Sequence, residues 1–279
     1  MRETAAVSIF QGKVAVITGA GSGIGKSLAE ELARRGARVV ISDINPGRIE
    51  NTAEGIAGSG GKVIAATLDV SDYEAVKSMI EGTLATHGRI DYLFNNAGIA
   101  IAGPAKEFTI EDWRRVMDIN LYGVVHGIAV AYPLMVKQGW GHIVNTASIE
   151  GLVPFPATVS YVASKYAVVG LSNALRIEGA AHGVRVSVVC PGYVRTAIFA
   201  DSKIIGMDKQ NIKGLIDRLG VTPEECARII LGGVERNEAT IIVTFYAKFL
   251  CFINRLIPGL WTWLMARNYR KAVENGMIR

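Results

Sequence analysis

Apolar and polar residues form two alternating kinds of segment along the chain. Short, almost wholly apolar runs predict β-strands at residues 13–18, 38–42, 62–68, 90–94, 142–145, 184–189 and 239–243. Longer segments with apolar residues every three or four positions predict helices near residues 24–35, 46–57, 71–87, 109–136 and 159–181, with another beginning at Thr222. Strands that are apolar throughout and separated by helices are typical of a parallel sheet covered on both faces. The pattern therefore predicts an α/β fold with a doubly wound parallel sheet of about seven strands.

Local signals set several boundaries within this pattern. Ser71 is the expected N-cap of the third helix, and Gly36 and Gly88 are expected to end the first and third helices. Thr222–Pro223–Glu224–Glu225 has a threonine cap, a proline at the first helical position and a glutamate at the third. Residues 197–220 are more polar and less regular, and are expected to form either a mobile lid or a simple connection.

The pattern changes again at residue 245, so we expect a catalytic domain at 1–244 and an amphipathic extension at 245–279. On a helical projection one broad face of the first part of this tail is apolar, comprising Phe245, Tyr246, Phe249, Leu250, Phe252, Ile253, Leu256 and Ile257. The other face comprises Lys248, Cys251, Asn254 and Arg255. Lys248, Arg255 and Pro258 interrupt any run of the ~20 apolar residues that a membrane span needs.

Two interpretations of the tail stay open. An apolar face, tryptophans and excess positive charge fit a helix that lies in a membrane interface, with contact through residues 245–271. Alternatively, the tail packs on the body or on a neighbouring subunit and covers the substrate pocket. Membrane contact would favour a lipophilic substrate.

Composition and charge narrow the classes of function. The 279 residues are 50% hydrophobic, which suits one large domain, and the formal net charge is +5. Residues 245–279 hold six basic residues and one acid, which accounts for the whole net charge. The body is therefore balanced, and no nucleic-acid partner is expected. Three widely spaced cysteines predict neither disulfides nor a metal site, so a reducing, cytoplasmic location is expected, with peripheral membrane association as the open addition.

A glycine-rich loop follows the first predicted strand. Gly19, Gly23 and Gly25 stand in the spacing Gly-x-x-x-Gly-x-Gly, with Ser22 and Ile24 between them, and a helix begins at once. Glycines let the backbone approach a pyrophosphate, and a helix N-terminus presents N–H groups and positive dipole to it. This strand–loop–helix context predicts a Rossmann-type dinucleotide site.

Asp43 ends the second strand, eighteen residues after Gly25. A carboxylate there can accept hydrogen bonds from both hydroxyls of an adenosine ribose and would repel a 2′-phosphate. Neither Ile44 nor Ser22 is an arginine that could attract that phosphate, so NAD is expected rather than NADP. Asp69 and Val70, after the third strand, are expected near the adenine, and the run Asn95–Gly98, with Asn96, Ala97 and Gly98, near the nicotinamide ribose.

Tyr161 and Lys165 are four residues apart and therefore share one face of a predicted helix. An ammonium beside a phenol favours the phenolate and lowers its pKa, which suits proton transfer at a carbonyl or alcohol oxygen. Ser148, at the end of the preceding strand, could contact the same oxygen.

Together these motifs resemble the short-chain dehydrogenase/reductase family in its single-domain form. The matching residues are TGAGSGIG at 18–25, Asp69, NNAG at 95–98, Asn120, Ser148, YVASK at 161–165, Pro191–Gly192 and Thr196, over roughly residues 10–245. The resemblance implies that Tyr161 is the acid/base, that Ser148 polarises the substrate oxygen, and that Lys165 binds the nicotinamide ribose. It implies a water-holding role for Asn120 in a proton relay.

The resemblance also implies the strand order 3-2-1-4-5-6-7 and further cofactor contacts at Pro191, Gly192, Val194 and Thr196. Tyr193 is a candidate substrate contact beside Ser148 and Tyr161. A homodimer or homotetramer through the helices that begin near Thr109 and Val159 is implied in the same way, and no metal is expected. The function predicted is an NAD(H)-dependent interconversion of an alcohol and a carbonyl. A non-catalytic dinucleotide-binding or scaffold protein is the alternative.

Overall fold

A computed structural model describes residues 8–196, 198, 201–207, 214 and 218–278 of the chain. Its centre is one sheet of seven strands in the order 3-2-1-4-5-6-7, with every neighbouring pair parallel. The strands are β1 (Val14–Thr18), β2 (Arg38–Asp43), β3 (Lys62–Thr67), β4 (Tyr92–Asn95), β5 (Gly141–Thr146), β6 (Val184–Cys190) and β7 (Thr240–Ile242). The predicted Rossmann-type fold and its strand order are confirmed.

Helices cover both faces of the sheet. They are α1 (Gly23–Arg34), α2 (Pro46–Gly58), α3 (Tyr73–His87), α4 (Ile110–Met117), α5 (Gly123–Gln138), α6 (Val159–Ala180), α7 (Pro223–Glu235), α8 (Phe245–Leu256) and α9 (Pro258–Glu274). Adjacent residues of β1 enter different core clusters: Ile17 packs with Leu28 of α1, and Val16 packs with Ile80 of α3. Successive strand side chains point to opposite faces, so a strand buried on both faces reads as a continuous apolar run.

Several predicted boundaries need correction. Asp72, not Ser71, caps α3, because its side chain accepts the backbone N–H of Ala75 at 3.1 Å. The predicted helix begins near Thr109 as expected, and Thr109 is its N-cap, but the single long helix that was predicted is interrupted by a π-helical turn at Asp118–Tyr122. A small parallel pair, Ile101–Ala102 with Lys203–Ile204, was not predicted. Half of the predicted lid or connection at 197–220 lies outside the described residues.

The tail forms two helices, α8 and α9, that meet at 114°. Their inner side packs on the body: Ala247 and Trp261 are buried in a cluster with Ile149 and Val153. The predicted division into faces is partly wrong for α8. Cys251 packs against this cluster, and the Asn254 amide donates to the carbonyl of Leu152 at 3.2 Å, so both lie on the side that faces the body.

The opposite side of α8 is also apolar and is exposed. Phe245 is 86% exposed, and Phe249, Phe252 and Leu256 are 57%, 59% and 60% exposed. Packing on the body therefore accounts for the inner face of the tail but not for this outer face. The other apolar helical run, Ile110–Gln138, is long enough to span a membrane by length and composition, but its α5 part packs on the sheet.

Candidate active site

The predicted site residues line one pocket at the carboxyl ends of the strands. Those found along it are Gly19, Ser22, Gly23, Ile24, Asp43, Asp69, Val70, Asn96, Ala97, Gly98, Ser148, Tyr161, Lys165, Pro191, Gly192, Tyr193, Val194 and Thr196. Gly25 and Asn120 are not among the lining residues. This is the edge at which doubly wound sheets bind their ligands.

The loop after β1 has the shape of a phosphate cradle. Gly19 and Gly23 have φ values of +65° and +54°, a region that side chains strongly disfavour. Ser22 is the N-cap of α1 but makes no side-chain hydrogen bond to its first turn, which leaves that turn free to bind an anion. Gly25 has a different role: a Cβ there would collide with the carbonyl of Gly19, so this glycine lets α1 approach the loop.

The adenosine end of the pocket is built around Asp43. One carboxylate oxygen accepts the N–H of Gly21 at 3.0 Å and the other accepts the N–H of Asn45 at 3.0 Å. Arg48, on the first turn of α2, also lines this end, and its guanidinium pairs with Asp201 at 2.6 Å. That contact raises the pKa of Arg48 and lowers the pKa of Asp201.

The opposite end is fixed by hydrogen bonds between strand ends. Thr18 Oγ1 accepts the N–H groups of Asn96 and Ala97 at 3.0 and 3.2 Å, which ties the end of β4 to β1. The Lys165 ammonium donates to the carbonyl of Thr146 at 2.8 Å. A Cβ on Gly98 would lie 3.5 Å from Lys165 Nζ, so the backbone passes close to this ammonium. A nicotinamide dinucleotide, with its pyrophosphate at the cradle and its nicotinamide near Lys165, fits these groups.

Tyr161 and Lys165 lie on α6, Lys165 buried and Tyr161 partly buried, with the ammonium 5.5 Å from the centroid of the phenol ring. Burial lowers the pKa of Lys165 to about 8. Burial also raises the pKa of Tyr161, the charge of Glu150 raises it further, and a hydrogen bond with Ser148 lowers it. The expected lowering of the Tyr161 pKa by Lys165 is therefore not produced by the protein groups alone.

Glu150 is a pocket residue that sequence reasoning missed. It follows Ser148 by two positions, and its carboxylate accepts a hydrogen bond from the Thr158 hydroxyl at 2.6 Å. Burial raises the pKa of Glu150 to about 7. Its position two residues after Ser148 was the available signal, but only the fold turns the side chain into the pocket.

Asn120 lies in the π-helical turn and is fully buried. Its amide accepts the N–H of Ile99 at 2.8 Å and donates to the carbonyl of Ile99 at 2.9 Å, and it also donates to Ser164 Oγ at 3.2 Å. Ser164 in turn donates to the carbonyl of Tyr161 at 2.7 Å. The side chain therefore ties the segment that follows β4 to α6, and its water-holding role stays a prediction.

Tyr193 connects the pocket to the tail. Its backbone N–H donates to the hydroxyl of Tyr246 on α8, and the two rings stack with centroids 5.8 Å apart. Burial raises the pKa of Tyr193 to about 12, so its hydroxyl is protonated at neutral pH. The candidate substrate contact at Tyr193 is thus placed along the pocket and held there by the extension.

Comparison with known proteins agrees with this geometry. A family model for short chain dehydrogenase matches residues 13–204. The putative oxidoreductase SadH of Mycobacterium tuberculosis is 36% identical over 270 residues, which covers 95% of this chain and 98% of that protein. Cyclohexanol dehydrogenase of Acinetobacter sp. strain SE19 is 41% identical over 222 residues, covering 79% and 87% respectively.

A solved structure shows the same likeness. The crystal structure of a short chain dehydrogenase/reductase from Burkholderia phymatum in complex with NAD has a TM-score of 0.84 and 30% identity, with 90% of this chain and 95% of that chain covered. The fold, the pocket and these relatives lead to one conclusion: the chain belongs to the short-chain dehydrogenase/reductase family of oxidoreductases.

Proposed function

We propose that the protein is an NAD(H)-dependent oxidoreductase that interconverts a lipophilic alcohol and its carbonyl, with Tyr161 as the acid/base. The observation that carries this proposal is one pocket with a phosphate cradle and Asp43 at one end and Ser148, Tyr161 and Lys165 at the other. The non-catalytic alternative is disfavoured because a binding protein has no need of an acid/base tyrosine placed beside Ser148 and Lys165.

In alcohol oxidation, Tyr161 would take the proton of the substrate hydroxyl and Ser148 would hold the same oxygen by a hydrogen bond. Bound NAD supplies the hydride acceptor. Lys165 stands behind the phenol ring and adds positive charge, which favours the phenolate. For carbonyl reduction Tyr161 returns the proton to the oxygen.

Asp43 supports NAD as the preferred cofactor because its carboxylate would repel a 2′-phosphate. Arg48 would favour NADP, since it is a cation at the same end of the pocket and would attract a 2′-phosphate. Its pairing with Asp201 offsets that charge, so the balance still favours NAD.

A lipophilic substrate is supported by apolar residues in the lining of the pocket, namely Ile99, Ala100, Ala147, Ile149 and Pro191. The similarity to a cyclohexanol dehydrogenase points to alicyclic secondary alcohols as the first class to assay. The purified protein should reduce NAD in the presence of at least one member of a panel of such alcohols, followed by NADH absorbance. Tight NADH binding without turnover of any alcohol or ketone would favour the non-catalytic alternative instead.

We also propose a cytoplasmic homodimer or homotetramer. Exposed apolar residues that could meet a second subunit are Tyr122 in the π-helical turn, Val125 on α5, and Tyr166 and Ile177 on α6. The thiols of Cys190, Cys226 and Cys251 are free, as a reducing compartment would keep them. Ile177 is 78% exposed, so Ile177→Glu should lower the mass found by light scattering without loss of folding. An unchanged mass would place the subunit contact elsewhere.

A further inference from the structure

The outer face of α8 carries an apolar row that the fold does not use. Phe245, Phe249, Phe252 and Leu256 follow one another at intervals of four, three and four residues, and we call them the tail stripe. At about 100° per residue they fall within roughly 60° of the helix circumference. All four are more than half exposed, whereas Ala247 on the inner side is fully buried.

Positive charge accompanies this stripe. Lys248 and Arg255 are exposed on the same helix and flank one side of the stripe. Arg267, Arg270 and Lys271 are exposed on α9, and within the described residues none of these five cations forms a salt bridge. Glu274 is the single acidic residue in the sequence from 245 to 279.

The start of α9 adds an exposed tryptophan. Trp263 is 55% exposed, Leu260 is 40% exposed, and the Arg267 guanidinium lies 5.5 Å from the Trp263 ring. Indole rings favour the boundary between lipid headgroups and acyl chains, where their apolar body and polar N–H both find suitable surroundings. The cation beside the ring places positive charge at the same level.

We propose that the tail stripe and its flanking cations dock the protein onto an anionic lipid surface. Apolar side chains would enter the headgroup region while Lys248 and Arg255 meet lipid phosphates. A second copy of the chain is a poorer occupant, because two such tails would bring like charges together. The 114° bend between α8 and α9 favours a helix lying on the surface over a span.

Docking in this way would bring the lipid close to the substrate pocket. Tyr246 of α8 holds Tyr193 of the pocket wall, and Ile149 of the same wall packs in one cluster with Ala247 and Trp261 of the tail. A substrate dissolved in the membrane would then have a short path to Ser148. This consequence rests on the proposed function, whereas the docking itself does not.

Vesicle flotation of the full-length protein tests the docking. The wild type should float with vesicles of phosphatidylglycerol and phosphatidylcholine, more weakly at high salt, and much less with phosphatidylcholine alone. Phe245→Ser/Phe249→Ser/Phe252→Ser should abolish flotation. Lys248→Gln/Arg255→Gln should weaken it about 25-fold, since each basic residue near an anionic surface contributes about fivefold.

A matched control lies at the far edge of the sheet. Lys62→Gln/Ile64→Ser changes one exposed cation and one exposed apolar residue on β3 and should float as the wild type does. Thermal melts show that each variant is folded. No flotation of the wild type, or equal flotation of the triple serine variant, overturns the proposal. Loss of oligomer mass in that variant, without wild-type flotation, would identify the stripe as a subunit interface instead.

Discussion

Tyr161 lies where its own ionisation is disfavoured by the residues around it. Burial and the charge of Glu150 both raise its pKa, and only the hydrogen bond with Ser148 opposes them. An acid/base that must alternate between phenol and phenolate therefore needs additional positive charge, which Lys165 and an oxidised nicotinamide would together provide. Proton transfer at Tyr161 should accordingly depend on cofactor binding.

Glu150 should control the pH range of alcohol oxidation. Its pKa is raised to about 7, so above that pH it carries a negative charge that disfavours the Tyr161 phenolate. Glu150→Gln removes this charge and should move the rising limb of the kcat/KM profile for oxidation to lower pH. A rising limb at the same pH in the wild type and in Glu150→Gln would show that Glu150 does not act on Tyr161.

The free energy of unfolding of the wild type and of Glu150→Gln offers an independent test of the raised pKa of Glu150. An acid whose pKa is higher in the folded state binds more protons there than when unfolded, so stability falls as pH rises from its ordinary value of 4.5 to about 7. The fall attributable to this residue is at most about 3 kcal/mol. It should be missing from denaturant unfolding of Glu150→Gln over the same range.

Asp43 and Arg48 together should set the choice between NAD and NADP. Asp43→Asn keeps the shape of the side chain but removes its charge, and should lower kcat/KM for NAD by roughly 10- to 100-fold, the usual range for a charged hydrogen bond. Asp201→Asn frees the Arg48 guanidinium and should raise kcat/KM for NADP with little change for NAD. A wild type that prefers NADP would refute the role given to Asp43.

At the scale of elements, side-chain hydrogen bonds hold the site together between strands and helices. The π-helical turn at Asp118–Tyr122 carries Asn120, which pairs with both backbone groups of Ile99 and so connects this turn to the segment that follows β4. The spacing of apolar residues does not predict such a turn, because one extra residue hardly changes that spacing. The structure thus gives Asn120 a positioning task beside the relay role that was predicted.

Trp261 holds α9 of the tail against the body. It is 5% exposed, its indole N–H donates to the carbonyl of Pro154 at 2.8 Å, and its ring meets Phe155 edge-on at 5.4 Å. Trp261→Ala should destabilise the packing of the tail on the body by about 3–5 kcal/mol, as large-to-small core changes do. Trp261→Phe keeps most of the packing and should cost only about 1 kcal/mol for the lost hydrogen bond.

Limited trypsinolysis can measure this difference, because Arg267 and Arg270 lie on the helix that Trp261 holds. Cleavage there should be fast in Trp261→Ala and close to the wild-type rate in Trp261→Phe. Equal cleavage of all three proteins would mean that α9 is held by other contacts.

For the whole molecule, the fold was predictable because its signals are local and repeated. Apolar runs such as 13–18 are strands buried on both faces, and the glycines after β1 need backbone angles that few other residues adopt. Family motifs identified Tyr161 and Ser148, and the position at the end of the second strand identified Asp43; all three line one pocket.

What could not be predicted depends on contacts between distant segments. The orientation of Glu150 and the pairing of Arg48 with Asp201 join residues whose sequence neighbours give no such signal. The faces of α8 were misassigned because a hydrophobic projection cannot tell an apolar face buried on the body from one left exposed. Asn254 faces the body through a hydrogen bond, which hydrophobicity does not register.

The central claim, that Tyr161 is the acid/base of a nicotinamide-dependent oxidoreductase, is tested most directly by Tyr161→Phe. NADH binding, followed by fluorescence titration, should stay within about twofold of the wild type, while turnover of an accepted alcohol should fall by roughly 10²- to 10⁴-fold. Tyr166→Phe, on the exposed side of the same helix, should retain full activity. A Tyr161→Phe protein that binds NADH normally and keeps most of its turnover would contradict the account.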